Sequence, residues 1–318
     1  MSTSTPDSPR ISVVTPLFNC LAATQEMIAS LRRSMPRGLS HEIILVDDGS
    51  TDGTREWLAG LGEPFRVILN ERNLGYGAAT NRGVAIARGD ILALLNNDLI
   101  LRPGWIRPML AALRFHGGRA GLVGNVQVNA ATREVDHAGI WITLNGKPEH
   151  DRREPRFASL LLHPAPVVFA VTGACVLVRA DTWRMLGGFD EAYINGCEDV
   201  DLCLRARGAG LINVVALRSR VYHHVSSSPG RNLRNEENAR RLVLRWRREL
   251  ALEASRLWTW DHFCRIVPEP RDFPDKAEAL RMALYLVRLW DHPPPAALVA
   301  MNAAIDVELA HWREMFSD

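Results

Sequence analysis

Three clusters of acidic and amide side chains are the candidates for chemistry in this 318-residue chain. Asn96-Asn97-Asp98 ends the apolar run Ile91–Leu95, Asp47-Asp48 ends another apolar run, and Glu198-Asp199 forms the third cluster. A single carboxylate beside two amides suits Mg²⁺ or Mn²⁺, because such a cation keeps much of its water and takes further ligands from phosphate. An Asn-rich turn after a strand would explain the first cluster equally well.

The other candidates have competing explanations too. Glu198 and Asp199 stand at the predicted N-terminus of a helix, where the helix dipole favours negative charge. They are therefore either capping residues or a general base that points into a cleft. His223 and His224 are adjacent, and adjacent side chains in an extended chain point in opposite directions. At most one of these two histidines can join a given site.

The elements that must position these clusters alternate along the first hundred residues. Helices of about a dozen residues separate four apolar runs, which are Ile11–Val14, Glu42–Val46, Phe65–Leu69 and Asp90–Leu95. Thr24 is a candidate N-cap for the first helix, and Ser50, Thr51 or Asp52 for the second. This alternation predicts βαβ units and a parallel sheet. The polar clusters would then share its carboxyl edge, where open α/β sheets bind ligands.

The pattern changes after Leu101. Pro103 is expected to start a helix to about His116, and three strands should then complete a mixed sheet, at Ala120–Val128, Gly139–Leu144 and Val167–Val178. Ile212–Val215 is a further strand-like run, with a connector before Tyr222. Apolar residues at helical spacing then predict three helices, at Asn238–Trp258, Asp275–Trp290 and Pro295–Met315. We predict a disordered lead-in over residues 1–10, an α/β domain over 11–232, and a helical C-terminal region over 233–318.

Composition excludes several classes of protein. A hydrophobic content of 47% and a charged content of 23% are those of a globular protein, and the net charge of +2 does not indicate a nucleic-acid partner. No apolar run reaches the roughly 18 residues that a membrane span needs. Five scattered cysteines suggest reduced thiols, so we expect a cytoplasmic protein. The Arg-rich stretch 218–248 and the Trp-rich tail are either a solvated face with a helical core or a peripheral contact to an anionic membrane face.

Two common nucleotide-binding classes are disfavoured as well. No GxGxxG follows the first strand and no GxxxxGK[ST] occurs anywhere, which argues against a dinucleotide-binding dehydrogenase and a P-loop NTPase. A nucleotide would have to be held by carboxylates, a metal ion and aromatic contacts instead.

Taken in order, these motifs resemble the inverting family 2 glycosyltransferases of the GT-A fold, with the Asn-Asn-Asp version closest to rhamnosyltransferase-like members. The resemblance covers about residues 11–228. Its segments are Ile11–Asn19, Ile44–Thr54, Asn73–Gly83, Leu95–Asp98, Thr172–Cys175, Gly187–Glu191 with Glu198–Asp201, and His223. The implied fold is a Rossmann-like mixed sheet flanked by helices.

The resemblance also implies roles for residues. Pro16 and Phe18 would flank the nucleotide base, and Asp47 or Asp48 would hydrogen-bond the base or ribose. Asp199 would be the catalytic base, and Glu198 would support it or contact the acceptor. The other nucleotide contacts that the resemblance implies are Gly75, Asn81 and Asn97. A divalent cation, Mg²⁺ or Mn²⁺, would be bound by Asp98 and His223, with His224 as the alternative to His223.

The implied reaction is transfer of a sugar from a nucleoside-diphosphate sugar to a hydroxyl of a glycan, lipid-linked or other acceptor, with inversion. Bacterial surface glycan or polysaccharide synthesis would be the setting. A sugar nucleotidyltransferase is an alternative, although it would be expected to carry a Gly- and Lys/Arg-rich loop where Pro16–Asn19 stands. A catalytically inactive relative that binds nucleotide or carbohydrate is a second alternative.

Overall fold

The computed structural model describes residues 10–224, 234–266 and 276–316. The predicted lead-in, except Arg10, and the predicted domain boundary at 232–233 lie outside these residues. The described residues form two compact units. The first comprises the described residues of Met1–Ile140 and His150–Asn235, and the second those of Trp141–Glu149 and Glu236–Asp318.

The first unit begins with the alternation that the sequence predicted. Its elements are β1 (Ile11–Leu17), α1 (Leu21–Ser34), β2 (His41–Asp47), α2 (Thr54–Ala59), β3 (Phe65–Leu69), α3 (Tyr76–Ala85) and β4 (Ile91–Leu95). Strands β3, β2, β1 and β4 lie side by side in that order and are parallel. Helix α1 starts three residues before Thr24, because the Asp52 carboxylate accepts the Leu21 N–H at 2.9 Å and so caps the helix from a neighbouring loop.

The elements that follow are shorter and of mixed direction. They are β5 (Leu99–Ile100), α4 (Ile106–His116), β6 (Ala120–Asn129), β7 (Val135–His137), β8 (Ile140–Ile142), β9 (Pro148–His150), α5 (Phe157–Leu162), β10 (Val167–Val168), β11 (Cys175–Arg179), α6 (Ala180–Leu186), α7 (Glu198–Gly208) and β12 (Ile212–His223). Helix α4 starts at Ile106 because residues 103–105 form a turn, not at Pro103 as expected.

Among the described residues, ten strands form one mixed sheet. Eight of them follow the order β10-β12-β6-β11-β4-β1-β2-β3, while β5 pairs with β12 and β7 pairs with β6. The predicted mixed α/β sheet flanked by helices is confirmed. Two strand predictions were wrong. The run Val167–Val178 holds two strands, β10 and β11, which are separated in the sheet by β12 and β6. Strand β12 continues past Val215 to His223, so Tyr222 and His223 belong to the strand itself. It continues because β6 and β5 supply hydrogen-bonding partners along its length.

The main apolar cluster of this unit lies on the face of the sheet that α1 and α4 cover. Inward-facing residues of β1, β2 and β4 pack there with Met27, Leu31 and Met109, all fully buried. Burial of each such side chain contributes roughly 1.5–3 kcal/mol. Because this packing holds the strands rigidly, the loops at their carboxyl ends have a firm support.

The second unit is helical, as predicted for the C-terminal region. It contains most of α8 (Asn235–Ile266), which is kinked at Trp246, then α9 (Lys276–Leu286) and α10 (Pro295–Phe316), and it includes the turn between β8 and β9. Lys147 in that turn pairs with Glu308 at 2.7 Å and with Glu236 at 2.9 Å. No helix in the described part of the chain is long and apolar enough to cross a bilayer.

Candidate functional site

The loops after β1, β2 and β4 meet at the carboxyl edge of the sheet. The Ser50 hydroxyl accepts the Asn19 N–H, and the Asn19 side-chain oxygen accepts the Thr51 N–H, each at 2.8 Å. Asn97, at the end of β4, donates to the Thr24 hydroxyl at 2.9 Å. These contacts join three polar loops into one surface, as the parallel strand order requires.

Asp47 and Asp48 both bind groups of the protein itself. The Asp48 carboxylate, nearly fully buried, accepts the N–H groups of Leu74 and Gly75 at 2.9–3.0 Å and the Asn70 amide at 2.8 Å. Asp47 pairs with Arg55 at 2.7 Å and accepts backbone N–H groups of its own loop. Asp48 therefore shapes the loop that leads into α3, and Asp47 shapes the loop that follows β2. Their contact with a nucleotide stays a prediction.

Gly75 directly precedes α3, and Asn81 lies on this helix. Gly75 adopts φ +92°, a conformation that favours glycine, where its N–H points at Asp48. The Asn81 amide donates to the Phe189 carbonyl and to Glu191, both at 2.9 Å, and its oxygen accepts the Phe189 N–H at 3.0 Å. Asn81 thus holds the 187–191 loop, and its predicted role toward the nucleotide is not tested. Pro16 is buried in β1, and Phe18 is half-buried just after it.

His223 and Asp98 are brought together by strand pairing. In the antiparallel β5–β12 pair, His223 lies opposite Leu99, and the His224 N–H donates to the Asp98 carbonyl at 2.9 Å. As a result His223 Nε2 lies 3.2 Å from Asp98 Oδ1, and both side chains are buried. His224 points the other way, with its Nε2 3.2 Å from Glu26, so the geometry places His223 at Asp98.

The spacing of this pair fits a divalent cation. Two neighbouring ligands of an octahedral Mg²⁺ or Mn²⁺ ion with bonds near 2.1 Å are separated by about 3.0 Å, close to the 3.2 Å found. Within the residues that the structure describes, no three His, Cys, Asp or Glu side chains form a metal-ligand group. A cation at this place would therefore take most of its ligands from water and from a bound diphosphate.

Three residues that the sequence analysis did not single out surround this pair. Asp136, on β7, has its Oδ2 3.8 Å from His223 Nδ1, which is ion-pair range and too long for a hydrogen bond. The pKa of Asp136 is lowered, chiefly because the His223 side chain stabilises its charged form. His150 directs Nδ1 at the Asp136 carbonyl at 3.2 Å, and its ring meets the His137 ring edge-on at 4.7 Å between centroids.

His137 is buried and His150 is half-buried, and both lie near carboxylates. Burial lowers the pKa of His150, although the charges of Asp199 and Asp136 act in the opposite direction. Burial lowers the pKa of His137 well below its ordinary value, and the nearby His150 and His223 add to this effect. No periodicity or motif in residues 135–150 could have identified the three. Asp136 and His137 come to the site through the pairing of β7 with β6 and of β6 with β12. His150 is held there by the backbone hydrogen bonds of Asp151 with Ala138 and Gly139.

Glu198 and Asp199 start α7, as expected, and the structure brings Asp199 to the same edge. Asp199 Oδ2 accepts the Gly173 N–H at 2.8 Å, and Asn96 donates its N–H to the neighbouring Ala174 carbonyl at 2.8 Å. Asp199 is half-buried, and Glu198 folds back to accept the Gly196 N–H at 2.7 Å. Tyr76 adds a hydroxyl that donates to the Gly173 carbonyl at 2.8 Å.

This arrangement, a mixed sheet with acidic side chains at the end of β4 and at the start of α7, agrees with comparisons to known proteins. Residues 12–181 match the family model of glycosyl transferase family 2. Because the match spans more than half of the sequence, the chain belongs to glycosyl transferase family 2.

Two curated relatives and one solved structure illustrate the similarity. The chain is 33% identical over 248 residues to the uncharacterized protein y4gI of Sinorhizobium fredii, a match that spans 73% of this chain and only 26% of that protein. It is 31% identical over 231 residues to an N-acetylglucosaminyl-diphospho-decaprenol L-rhamnosyltransferase of Mycobacterium tuberculosis, covering 65% and 74% of the two chains.

The solved structure is that of GalNAc-T7 with UDP, GalNAc and Mn²⁺. It superposes with a TM-score of 0.63 at 19% identity, covering 80% of this chain and 51% of that one. At this level of identity the similarity concerns the fold, and the predicted GT-A architecture is confirmed.

Proposed function

We propose that this protein is an inverting glycosyltransferase that moves a sugar from a nucleoside-diphosphate sugar to an acceptor hydroxyl, with Mg²⁺ or Mn²⁺ held by Asp98 and His223. The observation that carries the proposal is the pairing of His223 Nε2 with Asp98 Oδ1 at 3.2 Å, at the sheet edge where Asp199 also lies. The named UDP and Mn²⁺ of the GalNAc-T7 structure support a nucleotide and a cation in this fold.

Each side chain would have a distinct task. The bound cation would supply Lewis-acid stabilisation to the diphosphate leaving group. Asp199 would take the proton of the acceptor hydroxyl as that oxygen attacks the anomeric carbon. Since Gly173 N–H already orients Oδ2, the carboxylate is held in place before the acceptor arrives. A single displacement from the face opposite the leaving group inverts the anomeric configuration. Glu198 would support the base, and Asn97 and Gly75 would border the diphosphate.

The donor and acceptor classes are part of the proposal. The name of the mycobacterial relative supports a rhamnosyl or hexosyl donor, and the decaprenol carrier in it supports a lipid-linked acceptor in bacterial surface glycan or polysaccharide synthesis. Such an acceptor would place the protein in the cytoplasm, at the inner membrane face.

The test is a screen of UDP-, GDP- and dTDP-sugars for Mn²⁺-dependent hydrolysis and for thermal stabilisation, using the wild-type chain and Asp199→Asn. We expect one donor to be hydrolysed and turnover of Asp199→Asn to fall about 10²–10⁴-fold, with the stabilisation by donor retained. Turnover of Asp199→Asn at the wild-type rate would refute the assignment of the base. Binding without hydrolysis would indicate an inactive relative, and formation of a nucleotide sugar from a sugar phosphate would indicate a nucleotidyltransferase.

A further inference from the structure

Helix α5 exposes its large apolar side chains to solvent. None of its six residues is buried, and Phe157, Leu161 and Leu162 are 75%, 57% and 73% exposed. A helix of this length has little stability of its own in water. Three large apolar side chains side by side on such an element are unusual for a surface that meets only water, and they indicate a contact surface.

The backbone of this segment is nevertheless held in place. Arg218 Nε donates to the Leu160 carbonyl at 2.8 Å, and the Leu217 N–H donates to the Pro164 carbonyl at 2.9 Å. Val167 then pairs with Val214 in the antiparallel contact of β10 with β12. The helix is therefore attached to the edge of the sheet through its main chain, while its apolar side chains remain outward.

Basic residues flank the apolar ones in the sequence and on the adjoining strand. Five exposed arginines lie on this segment and on the adjoining part of β12, against two acids, Asp151 and Glu154; the arginines are Arg152, Arg153, Arg156, Arg218 and Arg220. Both acids are already paired, Asp151 with Arg153 at 2.7 Å and Glu154 with Arg220 at 2.5 Å. The excess of positive charge around an apolar face favours a partner with a negative surface and an apolar interior.

We propose that Phe157, Leu161 and Leu162, with the surrounding arginines, form a docking surface for an anionic lipid bilayer. Apolar side chains would enter the interface while guanidinium groups bind the lipid phosphates. A second copy of this chain fits less well, because a symmetric contact would bring the same positive charges together.

The position of the surface links it to the candidate site. Strand β12 carries Arg218, which binds the Leu160 carbonyl of α5, and also His223, which lies five residues and at most about 17 Å further along the strand. A bilayer bound at α5 would thus lie next to the site and present lipid-linked acceptors to it. The presentation of lipid-linked acceptors rests on the proposed function, whereas docking to lipid does not.

The test is co-sedimentation of the full chain with vesicles of phosphatidylcholine, with and without phosphatidylglycerol, at low and high salt. We expect salt-sensitive binding to the anionic vesicles that Phe157→Glu combined with Leu162→Glu abolishes. The matched control is Leu69→Glu, which changes a 54% exposed leucine on β3 at the opposite edge of the sheet and should leave binding unchanged. Arg156→Gln should weaken binding about fivefold, since one basic residue near an anionic surface contributes about 1 kcal/mol.

Several results would overturn the proposal. The wild-type chain could fail to bind any vesicle, or it could bind neutral vesicles as well as anionic ones. Leu69→Glu could also lose as much binding as the double variant. Self-association that the double variant abolishes, without vesicle binding, would assign the surface to a second copy instead. Hydrolysis of the donor in vesicle-free solution, measured in parallel, separates the two proposals: its absence with intact vesicle binding would refute the proposed function alone.

Discussion

His223 Nε2 lies 3.2 Å from Asp98 Oδ1, although the two residues are far apart in the sequence. The antiparallel pairing of β5 with β12 places His223 opposite Leu99, directly beside Asp98. The neighbouring His224 points to Glu26 instead. One strand register therefore decides which of two adjacent histidines reaches the carboxylate.

The first prediction concerns this choice of histidine. His223→Ala should lower the affinity for Mn²⁺ in the presence of a nucleoside diphosphate by about tenfold or more, because one of two protein ligands is lost. His224→Ala is the matched control and should leave the affinity unchanged. Mn²⁺ electron paramagnetic resonance measures free and bound ion directly. Equal losses in the two variants would contradict the assignment.

The second prediction concerns Asp136 as a positioning residue. Its carboxylate faces His223 Nδ1 at 3.8 Å, so when a cation binds at Nε2 and Asp98, the Asp136 carboxylate would stabilise the proton that stays on Nδ1. Asp136→Asn should lower Mn²⁺ affinity about 10- to 100-fold, the range for residues that orient a metal-binding histidine.

A spectroscopic readout separates this role from a structural one. With Mg²⁺ and a nucleoside diphosphate bound, ¹⁵N NMR should show the proton of His223 on Nδ1 in the wild type and a mixture of tautomers in Asp136→Asn at the same Mg²⁺ concentration. Asp151→Asn, which removes an acid paired with the exposed Arg153, is the control. An unchanged tautomer would show that Asp136 does not orient His223.

The third prediction distinguishes a shaping role of Asp48 from a contact with the nucleotide. Asp48→Asn removes acceptors for the buried N–H groups of Leu74 and Gly75 and should cost about 1–3 kcal/mol of the free energy of unfolding. Urea unfolding measures this, and Glu71→Gln, on the same loop but exposed, should be neutral. If stability were unchanged while the KM for donor rose, Asp48 would act by contact instead.

The fourth prediction concerns acid stability. Burial alone would raise the pKa of Glu42, but hydrogen bonds from Ser12, the Arg88 N–H and Arg66 outweigh it, and the pKa is lowered. Because the folded state then binds its proton less readily than the unfolded state, this stabilisation is present above the ordinary carboxyl pKa, about 4.3, and is lost as the pH falls below it.

Unfolding experiments between neutral pH and about pH 3 test this prediction. Glu42→Gln should lower stability at neutral pH by about 1–3 kcal/mol and reduce the loss of stability on acidification. Glu71→Gln again serves as the control. A steeper loss in Glu42→Gln than in the wild type would contradict the expected sign.

Local patterns in the sequence were sufficient for a large part of this fold. The apolar runs that became β1 to β4 each end in a turn, and a parallel sheet with its polar residues at one edge follows from them. Helix and strand boundaries were less predictable. Thr24 satisfies the local pattern of an N-cap, but Asp52, on another loop, caps α1 at Leu21. A partner that comes from elsewhere in the chain leaves no local pattern.

By itself, the sequence determined the family motifs and the acidic residues at the ends of β2 and β4 and at the start of α7, since each depends on residue types at short spacing. Only the tertiary structure decided that His223 rather than His224 faces Asp98, that Asp136 and His150 adjoin the pair, and that α5 exposes its leucines. These features depend on strand register and on burial, which arise from pairing between distant segments.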